Sequence, residues 1–211
     1  YYLAYWTGMT EDETSIVQGV ILAVAFLFLP LVSYLSRRYE KRQAYIISMV
    51  SWAVVMLLIF LVPRGVKIPV YLLGALAGFG VSAAHVIPSA MTPDVMEVDE
   101  LMSGRRQEGV YAGIMTFIDK LARMAALAVL PLALRWADYV QPTAGDPVPD
   151  QPASALLALR IFVSVVPALL LMISVPVARV YPITRAHYSQ IQSALAERRA
   201  REQPVAGTAC D

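Results

Sequence analysis

Residues 15–35 read SIVQGVILAVAFLFLPLVSYL, a run that contains no charged side chain. An α-helix rises about 1.5 Å per residue, so about 20 such residues cross the roughly 30 Å of hydrocarbon in a bilayer. The run is continuously apolar and lacks the alternation of apolar and polar side chains that marks a membrane β-strand. It therefore predicts a transmembrane helix.

The composition of the whole chain agrees with a membrane protein. Its 211 residues are 58% hydrophobic and 16% charged, and the mean hydropathy is +0.58, whereas about 25% of a soluble domain is charged. A net charge of +1 provides no basic excess, so we expect no nucleic-acid partner. The single cysteine, Cys210, excludes a disulfide framework and a thiolate metal site, and no cofactor is expected.

Four more apolar segments follow the first one. The predicted spans are 15–35, 44–62, 69–91, 108–134 and 155–180. The aromatic start, YYLAYW, is typical of the last turn of an outgoing helix at the interface, which predicts a truncated sixth span and a missing upstream portion. We predict an all-α polytopic membrane helix bundle over residues 1–181 and a cytoplasmic tail over residues 182–211.

The positions of the basic residues predict the orientation, because Lys and Arg accumulate on the cytoplasmic side. They cluster in the connector SRRYEKRQ and in the tail: Arg37, Arg38, Lys41, Arg42, Arg185, Arg198, Arg199 and Arg201. The fragment therefore begins outside the cell membrane and ends in the cytoplasm. Residues 183–200, ITRAHYSQIQSALAERRA, suit an amphipathic helix on the membrane surface or a solvated tail, and both remain open.

The fourth predicted span carries charges near its middle. Asp119, Lys120 and Arg123 form one helical stripe with Thr116, and each charge there costs about 2.5 to 3.5 kcal/mol. Asp119 can pair with Arg123 four residues on, which leaves Lys120 in need of another helix or of a water-filled cavity. A solute or ion pathway is the main interpretation, and a buried structural ion pair is the alternative.

Two other ionisable residues lie within predicted spans. His85 precedes Pro88 near the inner end of the third span and is either a packed interfacial residue or a carrier of protons or solute. Arg160 lies about one turn inside the last span, where we expect its side chain to reach the lipid headgroups. Small residues repeat at four-residue spacing, Gly74 with Gly78 and Gly109 with Gly113, which favours close helix packing.

The stretch MTPDVMEVDELMSGRRQEG, residues 91–109, concentrates charge between two spans. Its charged residues are Asp94, Glu97, Asp99, Glu100, Arg105, Arg106 and Glu108. Composition alone favours a solvated loop. A hard-cation site is a weaker alternative, since no calcium-loop spacing is present and the arginines compete for the carboxylates. The third interpretation is a cytoplasmic gate, in which these acids pair with basic residues in one state and separate in another.

These residues carry a family resemblance. The stretch PDVMEVDELMSGRRQEG, followed by a span that contains Lys120, resembles the signature of the glycoside-pentoside-hexuronide:cation symporter family, the melibiose-permease-like branch of the major facilitator superfamily. LSRRYEKRQ is similar to the basic connector between helices eight and nine of that superfamily. The resemblance covers nearly the whole chain as the C-terminal half, from the end of helix seven through helix twelve.

The resemblance implies roles for particular residues. Lys120 matches a position in the cation and sugar region, Thr116 lies on the sugar side one turn earlier, and His85 falls near a sugar-facing position. The matches to the family's cytoplasmic charge network are Asp94, Glu97, Glu100 and Arg106. These matches favour the gate over the solvated loop.

The implied function is cation-coupled symport of a sugar, glycoside or similar small polar solute by alternating access, with Na⁺ or H⁺ as the coupling ion. Two bundles must enclose the solute, so the expected partners are the missing N-terminal half and the bilayer. The alternatives are a transporter of lipids or other solutes and a non-transporting scaffold. An enzyme is disfavoured, because the sequence contains no Ser/His/Asp, Cys/His or metal-ligand constellation.

Overall fold

A computed structural model of the chain describes residues 1–141 and 150–202, and every regular element within those ranges is helical. The elements are α1 (Tyr2–Tyr5), α2 (Glu11–Arg38), α3 (Lys41–Phe60), α4 (Ile68–Ser103), α5 (Glu108–Trp136), α6 (Ala153–Arg160), α7 (Val166–Arg179) and α8 (Arg185–Glu202). A π-helical turn, Ile161–Val165, joins α6 to α7 without a break in the rod. The predicted all-α membrane fold is confirmed.

Four of these rods are long and apolar enough to cross a membrane. They are α2, α3, α4 and the continuous rod Ala153–Arg179. The remaining predicted span, the fourth, corresponds to α5, which has 29 residues but carries three charges near its middle. Cys210 and part of the predicted outer connector lie outside the described residues.

One predicted boundary is wrong. The third span was expected to end at 91, where charged side chains begin, but α4 continues through the acidic stretch to Ser103. Gly104 then adopts a left-handed conformation with φ 73°, and its N–H donates to the Glu100 carbonyl at 2.9 Å, a helix termination that favours glycine. Asp94, Glu97 and Glu100 therefore lie on a helix.

Helix α4 occupies the centre of the bundle and packs against α2, α3 and α8. Its glycines permit this approach. A Cβ atom at Gly78 would lie 2.7 Å from the carbonyl oxygen of Ile21 on α2, and a Cβ atom at Gly80 would lie 2.3 Å from Cγ of Trp52 on α3. The small-residue spacing in this helix therefore serves close backbone packing.

Helix α5 is packed very differently. Nearly all of its residues from Glu108 to Val129 are exposed, and Leu134 near its end is buried. Nothing lies within 4 Å of a Cβ atom built at Gly109 or at Gly113. The same small-residue spacing thus has no packing role within the described part of this chain.

The end of the bundle away from α8 is tied together by Arg160. Its guanidinium lies between the rings of Trp6 and Phe60, 4.2 and 4.3 Å from their centroids, and donates to the Phe60 carbonyl. Trp6 Nε1 donates to the Val62 carbonyl at 2.9 Å. The expectation that Arg160 extends to the headgroups is therefore wrong: aromatic faces and the unpaired carbonyls at the end of α3 hold the cation.

Helix α8 lies against α4 at the opposite end of the bundle, which we call the inner end. Ile191 and Leu195 of α8 are buried there, with 3% and 4% exposure. The two sequence-based alternatives were a helix on the membrane surface and a solvated tail. In the structure this segment is a helix packed on the bundle.

Candidate functional site

An ion pair between a buried aspartate and a half-buried lysine organises the inner end. Asp94 of α4 is 3% exposed, and Lys41, the first residue of α3, donates to its two carboxylate oxygens at 2.8 and 2.7 Å. Lys41 also donates to the Ala90 carbonyl at 2.8 Å, and the Tyr181 hydroxyl donates to Asp94 Oδ2 at 3.1 Å. Charge-assisted bonds to a buried carboxylate are strong, so this pair fixes α3 to α4.

Tyr188 of α8 extends this site to Glu97. The Lys41 ammonium lies 5.2 Å from the centroid of the Tyr188 ring, while the Tyr188 hydroxyl lies near the Glu97 side chain. Gln192 Nε2 donates to the same hydroxyl at 3.0 Å. The second Glu97 oxygen, Oε2, is buried and has no hydrogen-bond partner among the residues described. We call Lys41, Asp94, Glu97, Tyr181 and Tyr188 the inner lock.

The two phenols act as hydrogen-bond donors at neutral pH. Burial raises the pKa of the Tyr181 hydroxyl, and neighbouring Asp94 raises it further. Burial and the neighbouring Glu97 carboxylate raise the pKa of Tyr188 to about 12. A tyrosine ordinarily titrates near 10, so both hydroxyls keep their protons and support the adjacent carboxylates.

The rest of the acidic stretch is held more locally. Asp99 and Glu100 are half-buried. Arg106 Nε donates to Glu108 Oε1 at 2.7 Å, and this bond raises the pKa of Arg106. Arg105 is exposed, and its backbone N–H donates to Ser103 Oγ at 3.2 Å.

Sequence reasoning did not find three members of the inner lock. Lys41, Tyr181 and Tyr188 are 53 or more positions from their acidic partners. No local spacing could have paired them. The basic connector around Lys41 was the one sequence feature that pointed to this region, and it indicated only the orientation of the chain in the membrane.

The polar stripe predicted on α5 is present. Arg123 Nε lies 3.0 Å from Asp119 Oδ2, and the two side chains are 76% and 58% exposed. Thr116 donates to the Ala112 carbonyl of its own helix at 2.8 Å. Lys120 is exposed, and no ion pair to it is found in the described ranges. The residues of the stripe therefore share one helix and contact no other described helix through these bonds.

His85 does not join this stripe. It is exposed on α4, and its Nδ1 lies 2.9 Å from the Val81 carbonyl one turn earlier.

An apolar crevice of about 330 Å³ separates the inner half of α5 from α4 and α7. Tyr111 and Met115 line it from α5, and Thr92 and Val95 from α4.

The chain combines long apolar helices, an ion pair at one end and a helix with an uncovered polar stripe. These features define the class of multi-pass α-helical membrane proteins. A family model described as MFS/sugar transport protein matches residues 1–185. The chain belongs to this family of the major facilitator superfamily.

Similar proteins support this assignment. An uncharacterized symporter of Synechocystis sp. is 33% identical over 94% of this chain and 36% of its own length. A sodium-dependent lysophosphatidylcholine symporter, 1-A, of Danio rerio is 29% identical over 96% of the chain and 37% of its length. A sphingosine-1-phosphate transporter of Xenopus tropicalis is 27% identical over 88% and 35%, respectively. The chain thus spans just over a third of these relatives, all of which carry transporter names.

Proposed function

We propose that the chain forms one of two helix bundles in a secondary active symporter, with α5 facing the other bundle. The observation that carries this proposal is the uncovered stripe of Thr116, Asp119, Lys120 and Arg123. An ammonium at the middle of a membrane helix is unfavourable in contact with lipid. A second bundle and a water-filled cavity between the two would give Lys120 a polar environment.

The glycines of α5 support the same arrangement. Gly109 and Gly113 have open space beside them, and residues at this spacing let a neighbouring helix approach closely. Two bundles that rock about a central site are the usual architecture of secondary transporters. We propose that the second bundle is the N-terminal half of the same transporter.

The inner lock suits the cytoplasmic gate of such a cycle. It joins the α2–α3 connector, α4 and α8 through the Lys41–Asp94 ion pair and the Tyr188 contacts. Buried pairs of this kind have two discrete states, formed or separated, as a switching element requires. We place the lock on the cytoplasmic side because the basic connector and tail lie at this end.

Two classes of solute are supported by different observations. The family description favours a sugar or another small polar solute, moved with Na⁺ or H⁺ along the Lys120 stripe. The names of several relatives favour an amphiphilic lysophospholipid and Na⁺. The apolar crevice beside the inner half of α5 gives the second class a surface for an alkyl chain.

The proposal is tested by uptake into vesicles that contain the full-length protein, with Na⁺, H⁺ or no cation gradient. Radiolabelled glycosides and lysophosphatidylcholine are supplied in separate assays. We expect Lys120→Gln to reduce uptake of the transported class at least about tenfold, the effect of losing one charged interaction of about 1.4 kcal/mol. Arg135→Gln, at the outer end of the same helix, is the matched control and should leave uptake unchanged.

Wild-type uptake by the Lys120→Gln protein would contradict the assignment of the stripe to the pathway. The 211-residue chain alone should not accumulate either solute, because one bundle cannot enclose a site. Accumulation by the isolated chain would overturn the two-bundle arrangement.

A further inference from the structure

The composition of α8 does not explain its position. The helix is strongly polar, with Arg185, Glu197 and Arg198 among its side chains, so it lacks the broad apolar face that would hold it on a membrane. Its apolar contact is narrow: Ile191 and Leu195, four residues apart, are buried. Tyr188 lies one turn before Ile191 on the same side, because residues three and four apart share a helix face.

That narrow face lies on the inner lock. The Lys41 ammonium lies 5.2 Å from the centroid of the Tyr188 ring, and the Tyr188 hydroxyl lies near the Glu97 carboxylate. Lys41 is the ion-pair partner of Asp94, and Glu97 lies three residues beyond Asp94 on α4. One side chain of α8 thus contacts both charged sites of the lock.

Other contacts keep Tyr188 in this position. Gln192 donates to its hydroxyl from the next turn of α8 at 3.0 Å. A cavity of about 210 Å³ remains between Glu97 and the α8 residues Gln192, Leu195 and Ala196. The buried Glu97 Oε2 has no hydrogen-bond partner in the described chain, and the Tyr188 hydroxyl is a polar group of α8 near this carboxylate.

We propose that α8 is a moving part of the inner gate and that Tyr188 is the positioning residue that couples α8 to the lock. The inference rests on the proposed function for the meaning of the gate, but the coupling itself is a property of the chain. While α8 is docked, the Tyr188 ring holds Lys41 against Asp94, and the hydroxyl holds Glu97. Separation of Lys41 from Asp94 then requires that α8 move away from α4.

The test measures exposure of the lock in the full-length protein in lipid nanodiscs. Cys210 is first replaced by Ser, and Ala90→Cys introduces a thiol beside the Lys41–Asp94 pair. The rate of alkylation by a water-soluble maleimide is the first readout. The second is hydrogen–deuterium exchange of the α8 amides, which reports docking without any transport assay.

Three substitutions separate the parts of the contact. Tyr188→Leu removes the ring and the hydroxyl and should raise the alkylation rate about tenfold, because the cation–π contact with Lys41 and the polar group near Glu97 are both lost. Tyr188→Phe keeps the ring over Lys41 and should raise the rate about threefold. Gln190→Ala, on an exposed position of α8, is the matched control and should change neither readout.

A double substitution distinguishes coupling of Tyr188 to Glu97 from a general loss of packing between α8 and α4. If the hydroxyl acts through Glu97, Glu97→Gln should add less to the alkylation rate in the Tyr188→Phe protein than in wild type. Leu195→Gln removes a buried anchor of α8 and leaves the Tyr188 side chain itself unchanged. It should release α8 and expose Ala90→Cys as Tyr188→Leu does.

The outcomes separate the inference from the proposed function. The role of Tyr188 would be overturned if Tyr188→Leu made α8 exchange faster without changing the alkylation rate. It would also be overturned if Tyr188→Leu left both readouts at their wild-type values. Coupled changes in both readouts would support it, whatever solute the protein carries. A protein that shows this coupling but transports neither glycosides nor lysophosphatidylcholine would count against the proposed function alone.

Discussion

Helices α4 and α5 are consecutive in the chain and comparable in length, with 36 and 29 residues. Each contains a pair of glycines four residues apart, internal proline and charged side chains. In α4 the glycines contact α2 and α3, and Asp94 is paired with Lys41. In α5 the glycines have open space beside them, and Lys120 has no ion pair in the described ranges.

The difference separates residues that build this bundle from residues that need a second one. A polar group satisfied inside the chain contributes to the stability of the chain. A charged side chain left uncovered on a membrane helix is unfavourable until another surface or water reaches it. The stripe on α5 is therefore the surface on which the proposed second bundle would pack, and the inner lock indicates how this bundle holds together.

The largest effect should come from removing Lys41, and removing Lys120 in the same assay tests the comparison. Lys41→Met leaves the buried Asp94 carboxylate without its cation and should lower the free energy of unfolding by about 3 to 5 kcal/mol. Lys120→Met should change it by less than about 0.5 kcal/mol in this chain. The measurement is unfolding of the purified chain in mixed detergent micelles during titration with sodium dodecyl sulfate.

Adding Asp94→Asn to Lys41→Met is the control for this comparison. It removes the unpaired charge, so it should restore part of the lost stability. Equal losses for Lys41→Met and Lys120→Met would show that the two lysines have similar environments, which would end the contrast between the helices.

The glycines should differ in the sign of their effect. Gly80→Ala brings a methyl group against the Trp52 ring and should destabilise the chain by about 1 to 3 kcal/mol. Gly113→Ala meets open space, and alanine is favoured over glycine in a helix interior by about 1 kcal/mol, so the chain should become slightly more stable. Thermal unfolding of both variants in the same micelles checks the prediction, and destabilisation by Gly113→Ala in this chain would refute it.

Only a small effect is expected from the exposed ion pair at the end of the acidic stretch. Arg106 and Glu108 are 61% and 57% exposed, and an exposed pair contributes about 0 to 1 kcal/mol. Arg106→Gln should therefore lower stability by less than about 1 kcal/mol, and high salt should reduce the effect further. A loss as large as that for Lys41→Met would place Arg106 in the inner lock.

Most of the helical architecture could be predicted from hydropathy, because each apolar run is about as long as the bilayer is thick. The end of α4 could not be predicted in the same way. Charged residues usually mark the end of a span, but Asp94 and Glu97 remain helical because Lys41 and Tyr188 offset their charge and polarity. The acids were identified as candidates for a charge network, while the docked tail was not foreseen.

At the other end of the bundle, the contacts of Arg160 could not be predicted from the sequence either. Its position in the sequence, near the start of an apolar run, favours a side chain that reaches the headgroups. The structure places Trp6 and Phe60 on its two faces, and these rings come from segments about 100 or more positions away in the chain. Sequence spacing carries no information about such a contact.

By itself, the sequence determined that the chain lies in a membrane and is helical, because uncharged runs of about 20 residues are stable in hydrocarbon only as helices. The helical repeat then puts Asp119, Lys120 and Arg123 on one stripe. The tertiary structure decided which charges are satisfied. Ion pairs and cation–π contacts depend on distances of a few ångströms between segments far apart in the chain, so only the packed helices distinguish the paired, half-buried lysine at position 41 from the uncovered lysine at position 120.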